Sequence, residues 1–258
     1  MEYSAPPDGD FPLMTWSIVA RDASGAFGVA IASRFFAVGA LCPHARAGVG
    51  ALATQALVNP LYGFPGLEML AHGSTATEVV ANLTTADNGR DHRQVHAIDA
   101  HGRTAAHTGS ACIGWCGHIA GPGYSIAGNM LAGAGVLDDS AAAYERSAAL
   151  PFAERLLAAL DAGDAAGGDK RGKQAAALLI VTTEDYPFLT LRVDDHEEPF
   201  VELRRLYDKS LERFQPFTAC LPRKSSPAGT TDRAEIERQI ERFQAERARN
   251  EKYFPGPS

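Results

Sequence analysis

Thr15 is the residue on which a reaction could turn. It opens the first alternating stretch of the chain, TWSIVAR, so its hydroxyl sits at a strand end. If the peptide bond to Met14 were opened, its own α-amine would stand beside that hydroxyl as a base. Such an amine has a reference pKa of about 7.7–8.0, so a useful fraction is unprotonated near neutrality. With that bond intact the amine is locked in an amide, and Thr15 is an ordinary β-branched strand residue.

A second set of reactive side chains lies in one loop. His107, Cys112, Cys116 and His118 are four potential zinc ligands. Their spacing follows no finger or ribbon pattern, so the bland reading is reduced cysteines and a turn histidine, with no metal bound. Cys112 beside His107 would be a nucleophile only if the fold brought them together. Asp194-Asp195-His196 and Asp91-His92-Arg93 read as strand-end turns. GVGAL, residues 48–52, lacks the helix that a phosphate-binding loop needs.

The elements that would hold these residues follow from periodicity and punctuation. Residues 15–21 and 26–33 alternate around Ala23-Ser24-Gly25 as a hairpin. A short Gly/Ala-rich strand follows over 48–53, then helices over 65–72 and from Thr75, where T-x-x-E with Glu78 is a capping box. Residues 93–99 and 102–107 make a second hairpin, and 109–123 a Gly-rich loop. A short strand over 124–127 runs into a Gly128-Asn129 turn, followed by helices over 130–146 and 151–162. The apolar run AAALLIVT, 175–182, is a strand buried on both faces, paired with 189–193. An amphipathic helix starts at Pro199, and a charged helix over 234–254 carries a thin stripe of Ile236, Ile240 and Phe243. Hairpins alternating with helix pairs, and few crossovers, predict an α+β fold.

Composition narrows the function classes. The chain has 258 residues, 45% hydrophobic and 21% charged, with net charge −7. That is globular, and it offers no global attraction to nucleic acid or to an anionic membrane. No apolar run approaches the roughly 20 residues of a membrane span. MEYSAPPDGDFPLM lacks a basic start and an apolar core, so it is no secretory signal. Four cysteines imply no disulfide framework. The expectation is a cytoplasmic protein.

The stretch from MTWSIVARDASGAFGVAIASRFF to NPLYG, with GRDHRQ, AAHTGSACIGWCGH, GYSIAGNMLAG, GGDKRGKQAAALLIV and LRVDDH in order, resembles domain of unknown function family 1028. The resemblance runs from Thr15 to about Tyr207. That family is grouped with the N-terminal nucleophile (Ntn) hydrolases, so the resemblance implies a four-layer αββα sandwich with Thr15 as nucleophile. By analogy with proteasome-type relatives, Arg46 stands near their lysine, the Gly128-Asn129 turn before a helix supplies oxyanion donors, and Asp169 is the supporting carboxylate. Ser33 and Arg34 occupy the position where those relatives carry a carboxylate, and this chain has none there. Arg46, unlike a lysine, can act only through its charge and cannot shuttle a proton. Ser33, Arg34, His107, Gly128 and Lys170 are the candidate substrate contacts. Plainer readings stand beside them: a surface ion pair for Arg46, a solvated turn for Asp169 and Lys170, a turn for His107 and a left-handed turn for Gly128.

The expected organisation is an extension over 1–14, an Ntn-like domain over 15–216, and a linker with a charged helix over 217–258. The expected function is an amidohydrolase for a small molecule or short peptide, without cofactor, nucleic acid or membrane partner, in a homo-oligomer. Two other classes compete: a catalytically silent binding or assembly module, and a metal-dependent hydrolase using the His107–His118 loop. The break at Met14 fits translation starting there with that Met trimmed, or self-cleavage before Thr15.

Overall fold

A computed structural model describes residues 15–168 and 172–253. The chain opens with β1 (Thr15–Arg21) and β2 (Phe27–Ser33), a hairpin whose turn Asp22 closes by accepting the Ala26 N–H at 2.9 Å. A single helical turn, α1 (Val38–Leu41), leads into β3 (Pro43–Arg46) and β4 (Gly50–Ala56). Helices α2 (Gly63–Ala71) and α3 (Ala76–Thr85) follow. Thr75 and Glu78 close the expected capping box on α3: Glu78 accepts the Thr75 N–H at 2.7 Å, and Thr75 Oγ1 accepts the Glu78 N–H at 3.2 Å.

Strands β5 (Arg93–Asp99) and β6 (Thr104–Thr108) form the second hairpin, then β7 (Trp115–Gly121) and β8 (Tyr124–Leu131) a third. Helices α4 (Gly135–Arg146) and α5 (Phe152–Ala165) precede the hairpin of β9 (Ala175–Val181) and β10 (Leu189–Val193). The chain closes on α6 (Pro199–Glu212), α7 (Phe214–Thr218) and α8 (Arg233–Tyr253). Two expectations are corrected here. The Gly-rich stretch after residue 109 is not all loop, because Trp115 onward pairs as β7. The predicted turn at Gly128-Asn129 is strand, and the helix placed at 130 begins at Gly135.

Every strand pair is antiparallel, in a six-stranded sheet ordered β10-β9-β2-β1-β8-β7 and a four-stranded sheet ordered β3-β4-β5-β6. Alternation along each strand explains the layers. Trp16, Ile18 and Ala20 turn outward into one core with Leu137, Leu156 and Leu160 of α4 and α5. Leu52, Val95 and Ala97 turn outward on the other sheet beneath Leu67, Val79 and Leu83 of α2 and α3. Val19, Phe27, Val29, Ala51, Ala53 and Ile98 fill part of the space between the sheets. This is the αββα sandwich. Among the described residues no helix is long and apolar enough to cross a membrane.

Candidate functional site

The inward face of the sandwich is apolar at one end and polar at the other. Thr15 starts β1 at the polar end, buried to 3% exposure, between Ser33 of β2 and Asn129 of β8. Its Oγ1 donates to Ser33 Oγ at 3.1 Å, and that same oxygen accepts the Phe35 N–H at 2.9 Å. The Thr15 carbonyl accepts from Asn129 Nδ2 at 3.3 Å and from Gln55 Nε2 at 3.4 Å. Its hydroxyl and carbonyl are thus both held from neighbouring strands.

Behind Thr15 lies a continuous polar network. Gln94 Oε1 accepts from Gln55 Nε2 at 2.7 Å and from Asn129 Nδ2 at 3.1 Å. Gln94 Nε2 donates to the Gly128 carbonyl at 2.9 Å and to Thr108 Oγ1 at 2.9 Å. Thr108 Oγ1 also lies 3.0 Å from His118 Nδ1. Ser17 Oγ donates to Gln55 Oε1 at 2.6 Å, so toward His96 Nε2 at 2.8 Å it must accept. His96 therefore carries its proton on Nε2, and its Nδ1 accepts from Ser125 Oγ at 3.1 Å. Burial first, and then the nearby His118, lower the His96 pKa to about 3, so the ring is neutral.

Backbone strain gathers at the same end. Three non-glycine residues have positive φ: Ala37 at 53°, Ala56 at 65° and Met130 at 55°. Ala56 follows Gln55, Met130 follows Asn129, and Ala37 lies just beyond Ser33. Such conformations cost about 1–3 kcal/mol each and concentrate at functional sites.

The structure brings Ser33 and Asn129 to Thr15, though not in the roles the analogy gave them. Asn129 contributes its side-chain amide from inside a strand rather than a backbone donor at a helix start. Gly128 pairs with Trp16, and the Met130 N–H is taken by the Ile113 carbonyl at 3.2 Å. Arg34 is exposed immediately after Ser33. Arg46 is far from Thr15. It pairs with Gly50, five positions along β4 from Gln55, or about 17 Å of strand. Its guanidinium bonds Glu68 at 2.6 Å on the surface.

His107 is also elsewhere, because alternation turns it away from the inward Thr108 and its Nε2 meets the Arg90 carbonyl at 2.9 Å. Asp169 and Lys170 lie outside the described residues. The described residues before and after them come to this end: Ala132 donates to the Gly168 carbonyl, and the Gln174 N–H to that of Ser33.

Among the described residues no three His, Cys, Asp or Glu side chains gather as a metal site. Cys112 Sγ lies against the Arg93 carbonyl at 3.5 Å, and burial, then Cys116, raise its pKa, which works against a thiolate. Sequence reasoning missed Ser17, Gln55, Gln94, His96 and Ser125. Their signal was polarity at core-facing strand positions, as in GALATQA and RQVHAID.

Comparison with known proteins adds the following. The model of a "Family of unknown function (DUF1028)" matches residues 15–203, beginning at Thr15. A crystal structure of a protein of that family from Silicibacter pomeroyi is 33% identical, with a TM-score of 0.78, covering 85% of this chain and 100% of that one. Anbu, the ancestral beta-subunit, from Yersinia bercovieri is 13% identical with a TM-score of 0.35, covering 76% and 94% of the two chains. No curated protein matches the chain.

Proposed function

The chain belongs to the family of unknown function DUF1028, and from that premise we propose that it is an amide hydrolase of the N-terminal nucleophile type. Thr15 Oγ attacks the carbonyl of a small-molecule or short-peptide amide. The freed α-amine of Thr15 takes the hydroxyl proton and returns it to the leaving amine. Water then resolves the acyl-enzyme. The observation that carries this reading is the Thr15 hydroxyl, aligned by Ser33 Oγ at 3.1 Å at the strained end of the sandwich.

In this reading Ser33 orients the nucleophile, while Asn129 and Gln55 fix its carbonyl. Asp169 and Lys170, which follow Gly168 in the sequence, supply the supporting carboxylate and a substrate contact. Arg46 takes no part.

The test pairs two measurements on the protein from its native host. Intact mass should show a chain beginning at Thr15. Hydrolysis across an amide library should fall by about 1,000-fold or more in Thr15→Ala. A chain retaining Met14, or full turnover by Thr15→Ala, would remove Thr15 from the chemistry.

A specific observation supports the silent-module reading as well. Thr15 is 3% exposed and the expected cation, Arg46, is distant. Under that reading no library member is turned over by a chain that does begin at Thr15.

A further inference from the structure

A pocket of about 540 Å³ opens at the end of the six-stranded sheet opposite Thr15. The register fixes the separation: Ser33 pairs with Ala175 beside Thr15, Phe27 with Val181 at the other end, and the lining begins at Thr182. Six positions of strand amount to about 20 Å. This is a second site.

Its walls come from three parts of the chain. The β9–β10 connection supplies Tyr186 and Phe188, and α8 supplies Arg242 and Phe243, with Arg223 from the segment between α7 and α8. Three of these five residues follow position 203, where the family match ends. The tail therefore builds the site onto the family domain.

The walls are tied together. Tyr186 OH donates to the Pro222 carbonyl at 2.7 Å, Lys224 Nζ to Asp185 at 2.9 Å, and the Lys224 N–H to Glu184 at 3.0 Å. Across α8, Gln244 Nε2 donates to the Leu211 carbonyl at 3.1 Å. These bonds hold the cleft in shape.

Two guanidinium groups and two carboxylates line it. Among the described residues neither Arg223 nor Arg242 has an ion pair, and Arg242 influences Glu235, two turns away, only through its field. Glu184 accepts from the Lys224 N–H and the Thr183 hydroxyl, both neutral donors, and Glu246 is the other lining carboxylate. Two guanidinium groups without an ion-pair partner suit a carboxylate, which gives them one, and the two lining carboxylates oppose a polyphosphate. Three aromatic rings suit an apolar body, and the volume lies in the range of small-molecule sites.

We propose that this pocket binds a small organic monocarboxylate with an aromatic or branched apolar body. Arg223 and Arg242 grip the carboxylate, and Tyr186, Phe188 and Phe243 enclose the body.

The test titrates the full chain with 3-phenylpropionate and with its neutral isostere 3-phenylpropanamide, by calorimetry. The carboxylate should bind saturably and the amide about tenfold more weakly or worse. The exposed pair Arg223→Gln/Arg242→Gln should keep the wild-type melting temperature and lose about tenfold or more in carboxylate affinity. Thr15→Ala should bind as wild type, which separates this site from the proposed hydrolase centre. The proposal is overturned by no saturable binding up to about 10 mM, by equal affinity for the amide, or by an unaffected double variant. Loss of binding in Thr15→Ala would place the ligand at the other end of the sheet and overturn it too.

Discussion

His96 is the side chain whose chemistry the fold alters most. It is neutral between Ser17 and Ser125, with its pKa lowered from 6.5 to about 3 by burial and then by His118. The folded pKa lies below the unfolded one, so between about pH 6.5 and 3 the unfolded chain holds a proton that the native state refuses. Stability from this residue is complete above that window and falls as pH drops through it, by up to about 1.4 kcal/mol per unit. His96→Gln should flatten the fall in unfolding free energy between pH 6 and 4.5 by about that slope, measured in urea. His44 and His118 also have lowered values, from burial first, and their share remains in both proteins. An unchanged slope would mean that His96 is charged in the native state. The sequence marked Thr15 because a strand visibly begins there. It hid His96, Gln55 and Gln94 because a polar side chain in an alternating strand reads as solvent-facing until a second sheet is known to cover it.

At the scale of elements, hairpins and caps were legible because local chemistry sets them, as at Asp22–Ala26 and Thr75–Glu78. β7 and the second half of β8 were not. Glycines, and a methionine at φ 55°, interrupt the alternation there, and pairing with Thr15 and Trp16 on one side and of Gly128 with Gly117 on the other makes residues 128–129 strand. Gly128 shows the difference between a turn glycine and a packing glycine. A Cβ built on it would lie 2.4 Å from Leu131 Cδ1 and 3.1 Å from Trp16 Cβ. Gly128→Ala should therefore cost about 1–3 kcal/mol through overpacking. Gly133→Ala is the control, because its Cβ meets nothing within 4 Å. It should be neutral, or stabilise by up to about 1 kcal/mol through the unfolded state. Denaturant midpoints of the two variants decide it, and equal effects would return Gly128 to the role of a flexible turn.

At the scale of the molecule, the alternation of hairpins with helix pairs was enough to read a layered α+β sandwich. It could not assign each end of the sandwich a character. That depends on register: β1, β4, β5 and β8 bring Thr15, Gln55, Gln94 and Asn129 to one end, while Phe27 and Val181 meet at the other. The tail attaches along this second end. The thin stripe foreseen on α8 packs mainly through Ile240, 5% exposed, with Arg213–Glu237 and Cys220–Gln239 contacts beside it. One buried isoleucine, the half-buried Ile236 and Phe243 and a few polar bonds make a small attachment, and such segments open locally without global unfolding. Ile240→Asp puts an unpaired carboxylate where an apolar side chain was, which the attachment cannot absorb. Limited proteolysis should then cut the Pro/Ser-rich segment 221–231 about tenfold faster than in wild type or more, while the main melting transition stays in place. Carboxylate binding should vanish with it, because Arg242 and Phe243 leave with the helix. A variant that resists protease as wild type does would mean that α8 is held by more than Ile240. One whose main transition collapses would make the tail part of the cooperative core.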